Sequence, residues 1–187
     1  MALGGLFFWV RIKILLMNTF LFNLINGWAG QWPWLDTLMI LSAKHLWVLL
    51  LVVLIVKVGF NRRWHHMAAV AIGSALVARL GIVALIKWLY VHPRPDLVLE
   101  TINAVVVPGT GNSFPSGHTS FAFALATGVY LYDKKLGRWY LAAAALIGFA
   151  RIFIGVHWPL DILAGVFVGV ATALIVNRIY RKLKPAA

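Results

Sequence analysis

Three short stretches of this 187-residue chain carry polar side chains that their apolar surroundings do not account for. The first runs from Lys87 to Pro95 and includes Arg94; the second is Phe114-Pro115-Ser116-Gly117-His118; the third holds Arg151, His157 and Asp161. Lys87, Arg94 and Arg151 are cations with Asp161 as their close acidic candidate. Uncompensated like charge beside a bilayer is costly, so a multivalent anion is the natural partner. The arginine fork suits phosphate oxygens, and lysine adds a point charge. At Pro115-Ser116-Gly117-His118 the chain turns into a helix whose first amides are free and lie at the positive dipole end, a ready phosphate cradle. Ser116 can donate its hydroxyl or cap the helix, and Gly117 lets the backbone come close to the anion. Together these residues read as an outward-facing phosphate pocket.

Two histidines add chemistry to that pocket. Pro159 suits the first position of a helix, which places His157 just outside it and Asp161 in its first turn. A carboxylate there can hold one imidazole nitrogen, fix the tautomer and leave the other nitrogen free to attack phosphorus. His118, at another helix start, is placed to protonate a leaving oxygen. Nucleophile, orienting carboxylate, acid and cation clamps suit phosphoryl transfer through a phosphohistidine, a reaction dominated by positioning and charge stabilisation. The nearby cations oppose a metal held by His118, His157 and Asp161, so neither a metal nor another cofactor is expected. Arg79 lies about 12 Å inward of Lys87 on the same helix face at a helical rise of 1.5 Å per residue, and reads either as a charge paired within the bundle, the favoured reading, or as a contact to substrate. Asp96 reads as a neutraliser of Arg94, His65 and His66 as solvated side chains, and Lys44 and His45 as polar residues within a span with no assigned role.

The elements that must position these groups follow from composition. The chain is 62% hydrophobic and 12% charged, with a mean hydropathy of +0.88. That excludes a disordered chain and speaks against an ordinary soluble domain. Apolar stretches at Leu35–Val58, Met67–Val91, His118–Tyr132, Trp139–Phe153 and Leu160–Tyr180 predict five transmembrane helices. The fold class is therefore all-α, a polytopic transmembrane bundle spanning residues 34–187. Residues 1–33 form a separate N-terminal segment that reads either as a sixth span or as an interfacial helix. Seventeen Lys and Arg against five Asp and Glu give a net charge of +12, which in a soluble protein would point to nucleic acid. Here Arg62, Arg63, Lys134, Lys135, Arg138, Arg178, Arg181, Lys182 and Lys184 fall in two short loops and the tail, as cytoplasmic loops require, and no nucleic-acid partner is expected. The long connection His92–Gly117 and the turn before Pro159 then face outward. The absence of cysteine excludes disulfides and thiolate chemistry.

In order and spacing the three stretches resemble the signature of the type 2 phosphatidic acid phosphatase superfamily. Six residues separate Lys87 from Arg94-Pro95, Pro115-Ser116-Gly117-His118 matches the second motif, and Arg151, His157 and Asp161 carry the third motif's spacing of five and three intervening residues. Ala150 stands where that motif usually has a serine, which removes one hydroxyl contact to phosphate. The resemblance implies a metal-independent lipid phosphatase on a membrane helix bundle. It makes His157 the nucleophile, Asp161 its orienter and His118 the acid, with Lys87, Arg94, Ser116, Gly117 and Arg151 holding phosphate. The small size and the run His92-Pro93-Arg94-Pro95-Asp96 are similar to the bacterial undecaprenyl diphosphate phosphatases of that superfamily. This implies a multi-pass protein of the bacterial inner membrane, with its site toward the periplasm or exterior and undecaprenyl diphosphate as substrate. The alternatives are a phosphatidylglycerophosphate or phosphatidate phosphatase, a lipid phosphotransferase and, from another class, a non-catalytic anion binder or transporter. Oligomeric state is not encoded in these motifs.

Overall fold

A computed structural model describes residues 2–61, 64–99, 102–103, 105–106 and 111–183, with the side chains of 2–8 and 11 left undescribed. The helices are α1 (Ala2–Asn26), α2 (Pro33–Lys44), α3 (Leu46–Phe60), α4 (His65–Leu76), α5 (Ala84–Leu89), α6 (Gly117–Tyr132), α7 (Lys134–Phe153) and α8 (Pro159–Leu183). A π-helical segment, Val77–Val83, joins α4 to α5, and a 3₁₀ turn covers Pro95–Leu97. Among the described residues there is no strand, as the all-α reading expects.

Length and composition give three spans among the described residues, or four if the bent pair α2–α3 is one span, beside the five expected. Among the described residues, three helices are each long and apolar enough to cross a membrane: His65–Leu89, Lys134–Phe153 and Pro159–Leu183. The span expected at Leu35–Val58 is broken at His45, where α2 and α3 meet at a bend of 54°. Lys44 and His45 thus sit at a kink, outside the residues that line the cationic cavity. The stretch expected to span from His118 is α6, only 16 residues long, or about 24 Å of helix. It does not need lipid length, because it is the bundle's centre: Phe121, Ala122, Ala124, Leu125, Ala126 and Val129 are buried within it, against α4, α7 and α8. Small residues permit this. A Cβ on Gly169 of α8 would lie 2.5 Å from the Ser120 carbonyl oxygen, so only glycine allows the two backbones to approach as they do.

The N-terminal segment contains one helix of 25 residues, α1. Its asparagines, which look like interruptions in the sequence, are ties to the bundle. Asn18 Oδ1 accepts the Leu160 amide at 3.0 Å, and Asn26 Nδ2 donates to the Phe153 carbonyl at 2.8 Å. Phe22 is fully buried against Trp158.

The two ends of the bundle differ in chemistry. At one end α6 and α8 close through Tyr132 donating to Asn177, and the Arg181 guanidinium lies 6.0 Å from the Tyr132 ring. Lys134, Lys135, Arg138, Arg178 and Lys182 share that end; Arg62, Arg63 and Lys184 lie outside the described residues. His66 is paired there with the Tyr180 hydroxyl, and so is not merely solvated. At the other end the three polar stretches meet.

Candidate active site

The third stretch is shaped by a helix stop and a helix start placed five residues apart. Gly155, at φ 85°, ends α7 in a conformation glycine adopts without strain, and its amide returns to the Ile152 carbonyl. Pro159 opens α8, and the Asp161 side chain turns back on its own helix, where Oδ2 accepts the Trp158 amide at 2.9 Å. The same oxygen meets His157 Nδ1 at 3.3 Å. The carboxylate therefore fixes the proton on Nδ1 and leaves Nε2 as the basic nitrogen. His157 and Asp161 are both buried. Burial pushes the His157 imidazole down to about 4, against the opposing pull of Asp161, so the ring is neutral at ordinary pH.

A backbone bond holds the second stretch against the third, and an indole bond holds the third against the first. The Ser116 amide donates to the Asp161 carbonyl at 3.0 Å, and the Trp158 indole donates to the Pro93 carbonyl at 3.0 Å. The first stretch is clamped to the long connection. Lys87 Nζ donates to the Asn112 carbonyl at 2.6 Å, and Arg94 Nε to the Gly111 carbonyl at 3.2 Å. Ser113 donates to the carbonyls of His92 and Pro93.

A cavity of about 280 Å³ lies where these segments converge. Lys87, Arg94, Gly117, His118, Arg151 and His157 line it, together with Arg79, Leu80, Val83 and Ala84. All but two of the residues expected at the site therefore share one cavity. Asp161 lies behind His157. Ser116 is fully buried beneath the helix start; its Oγ accepts from Thr119 at 3.0 Å and makes no capping bond. The hydroxyl thus braces the turn and does not face the cavity. Arg151 is 9% exposed, and its Nε is buried without a hydrogen-bond partner among the described residues. An orphaned guanidinium nitrogen at a cationic cavity is what an absent anion would satisfy.

Two side chains differ from expectation. Asp96 forms no ion pair with Arg94 among the described residues, and both its carboxylate oxygens are buried without a hydrogen-bond partner there. Arg79 has no carboxylate partner among the described residues and lines the cavity instead. Trp47, which carries no sequence signal beyond being aromatic, stands edge-on to His118 at 6.3 Å and under the Arg79 guanidinium at 5.7 Å. A larger apolar groove, about 730 Å³, is lined by Tyr90, His92, Phe114 and Asp161 together with part of α1; among the described residues no lysine or arginine lines it.

All three polar stretches fall within the part of the chain that a family model matches. The model of the PAP2 superfamily matches residues 68–185. The chain is 30% identical over 160 residues to the bacitracin transport permease protein BcrC of Bacillus licheniformis, covering 86% of this chain and 79% of that protein. It is 28% identical over 169 residues to undecaprenyl-diphosphatase BcrC of Bacillus subtilis (strain 168), covering 90% and 87%. Among solved structures, LpxE of Aquifex aeolicus superposes with a TM-score of 0.75 at 29% identity, covering 87% of this chain and 95% of that one. With a family model matched over more than half its length and a cavity built from the three polar stretches, the chain belongs to the PAP2 superfamily.

Proposed function

We propose that this membrane phosphatase removes the terminal phosphate of a lipid diphosphate, with undecaprenyl diphosphate as its substrate and undecaprenyl phosphate and inorganic phosphate as products. The observation that carries the reading is a neutral, buried His157 whose Nδ1 is held by Asp161 and whose ring lines a cavity shared with Lys87, Arg94 and Arg151. A pure anion binder or transporter has no use for an imidazole set up in this way, and this favours hydrolysis over the permease named for one relative. The other curated relative, an undecaprenyl-diphosphatase, supports the choice of lipid.

In the first step Nε2 of His157 attacks the terminal phosphorus while the bond to the bridging oxygen breaks. His118 gives its proton to that oxygen, and the lipid monophosphate departs. Asp161 stabilises the imidazolium character that develops on His157. Lys87, Arg94, Arg151 and the free amides at Gly117 and His118 hold the equatorial oxygens as their charge grows. In the second step water attacks phosphorus, His118 takes the water's proton, and the P–N bond breaks to release phosphate. The basic residues at the far end of the bundle support a reading in which that end faces the cytoplasm and the cavity faces the periplasmic or outer side of the bacterial inner membrane.

The test is release of inorganic phosphate by the purified protein in detergent with EDTA, across a panel of lipid diphosphates and monophosphates. Undecaprenyl diphosphate is expected to be turned over fastest, and His157→Ala to abolish turnover of every member. No release from any lipid phosphate, or full activity of His157→Ala, would overturn the reading.

A further inference from the structure

Arg79 is the cation that the motifs leave unused. It sits in the π-helical segment Val77–Val83, one full segment inward of Lys87. In a regular α-helix, residues eight apart diverge by about 80° around the axis. A π segment turns through fewer degrees per residue and removes much of that offset. Arg79 and Lys87 accordingly line the same cavity. The Arg79 stem packs against the start of α6, with Cγ 4.0 Å from where a Cβ on Gly117 would stand. Its Nη1 is buried and has no hydrogen-bond partner among the described residues.

The position of Arg79 within the cavity gives it a specific task. Arg79 and His118 flank the same Trp47 ring, the guanidinium carbon at 5.7 Å and the imidazole edge-on at 6.3 Å. In the proposed reaction His118 protonates the leaving oxygen, so Arg79 stands on the leaving-group side. Leu80 and Ala84, which also line the cavity, are exposed on the bundle's surface. In a lipid monophosphate the leaving oxygen carries only an alcohol. In a lipid diphosphate it carries a second phosphate with its own anionic oxygens, at the place where Arg79 presents an unpartnered N–H.

Resting on the phosphatase reading above, we infer that Arg79 binds the leaving phosphate of a lipid diphosphate and thereby makes the site prefer diphosphates to monophosphates. Lys87, Arg94 and Arg151 serve the phosphoryl group under attack, and Arg79 serves the one that stays on the lipid. Its guanidinium neutralises charge on the departing phosphate as the bridging bond breaks, so its effect grows toward the transition state.

The experiment compares wild type, Arg79→Gln and Arg79→Lys in detergent, each assayed with a polyprenyl diphosphate and the matching polyprenyl monophosphate. The reading is the ratio of kcat/KM for the two substrates. Losing a charge-assisted hydrogen bond to the second phosphate should lower that ratio about 30-fold in Arg79→Gln, with Arg79→Lys in between. A purely structural role would depress both substrates alike, and an unchanged ratio overturns the inference. Protection of the folded protein against heat supplies a second reading that needs no turnover. Methylenediphosphonate should raise the melting temperature of the wild type more than methylphosphonate does, and Arg79→Lys should narrow the gap; equal protection of the wild type by the two ligands overturns the inference. A wild type that hydrolyses monophosphates as well as diphosphates also overturns the inference and leaves the phosphatase reading standing. A wild type that hydrolyses neither defeats the phosphatase reading itself.

Discussion

The backbone amide of Ser116 donates to the carbonyl oxygen of Asp161 at 3.0 Å, and this bond joins the start of α6 to the start of α8. His118 rides on the first of these helices and His157 stands just before the second. Their relative placement therefore depends on how closely the helices pack. Gly165 and Gly169 of α8 set that distance, because a Cβ on either would meet the Ser116 or Ser120 carbonyl oxygen at 2.9 or 2.5 Å.

Gly169→Ala should therefore damage both fold and catalysis. Overpacking of this kind costs about 1–3 kcal/mol, so a lower melting temperature in detergent is expected. A displacement of about 1 Å between acid and nucleophile should lower kcat roughly 100-fold in whatever protein remains folded. Unchanged stability would mean that the helices can part without cost.

A pH profile tests the His157–Asp161 pair. His157 must be neutral to attack, and burial holds it down to about 4, so the acid limb of kcat/KM assigned to it should lie near that value and not near the ordinary histidine value of 6.5. Asp161 pulls His157 upward, so Asp161→Asn should move this limb to lower pH. The same change should reduce kcat by about 10²- to 10⁴-fold through loss of tautomer control. The stability sign follows. Between the two values the unfolded chain binds more protons at this histidine than the folded one, so its contribution is intact above about 6.5 and declines as pH falls toward about 4. Acid-induced unfolding monitored by tryptophan fluorescence reads that decline, and His157→Gln should flatten it in this window.

Much of this site is legible in the sequence because lipid makes ionisable side chains expensive. Lys87, Arg94, His118, Arg151, His157 and Asp161 stand out where apolar residues would otherwise be expected, and alternating helix direction brings them to one end. Arg79 stands out by the same logic, but its role does not follow from it. Its place in the cavity depends on the π segment, which changes helical register and which hydropathy does not announce. Ser116 is legible only as a motif member: the resemblance implies a phosphate contact, and the structure adds that its buried Oγ accepts from Thr119, a local bond that no spacing announces. The broken span at His45 and the short, central α6 are equally hidden, since hydropathy cannot distinguish a helix buried by protein from one buried by lipid.

The wall at Leu80 and Ala84 should admit the substrate's hydrocarbon. Ala84 is exposed and lines the cavity, so Ala84→Trp should narrow the opening without touching the cations. The expected result is a rise in KM of roughly 10-fold for a long polyprenyl diphosphate, with a much smaller change for a short soluble one, as loss of apolar contact requires. Equal effects on the two chain lengths would place the lipid elsewhere.

The helix α1 should act on the site through Asn18, whose Oδ1 accepts the Leu160 amide in the first turn of α8. Asn18→Leu keeps the volume and orphans that amide, at a cost of about 1–3 kcal/mol in stability. The expected signature is a lower melting temperature accompanied by a lower kcat, since Leu160 is the neighbour of Asp161. A change in neither would separate α1 from the site.

The central claim is that phosphate passes through a covalent bond to His157. Phosphate carrying heavy oxygen tests it without any lipid, because reversal of the second step forms the phosphohistidine from inorganic phosphate and expels water. Phosphorus NMR then follows replacement of the label by solvent oxygen. The account predicts exchange by the wild-type protein in EDTA and none by His157→Ala. Exchange that persists in His157→Ala, or a hydrolytically active wild type that exchanges nothing, would contradict it.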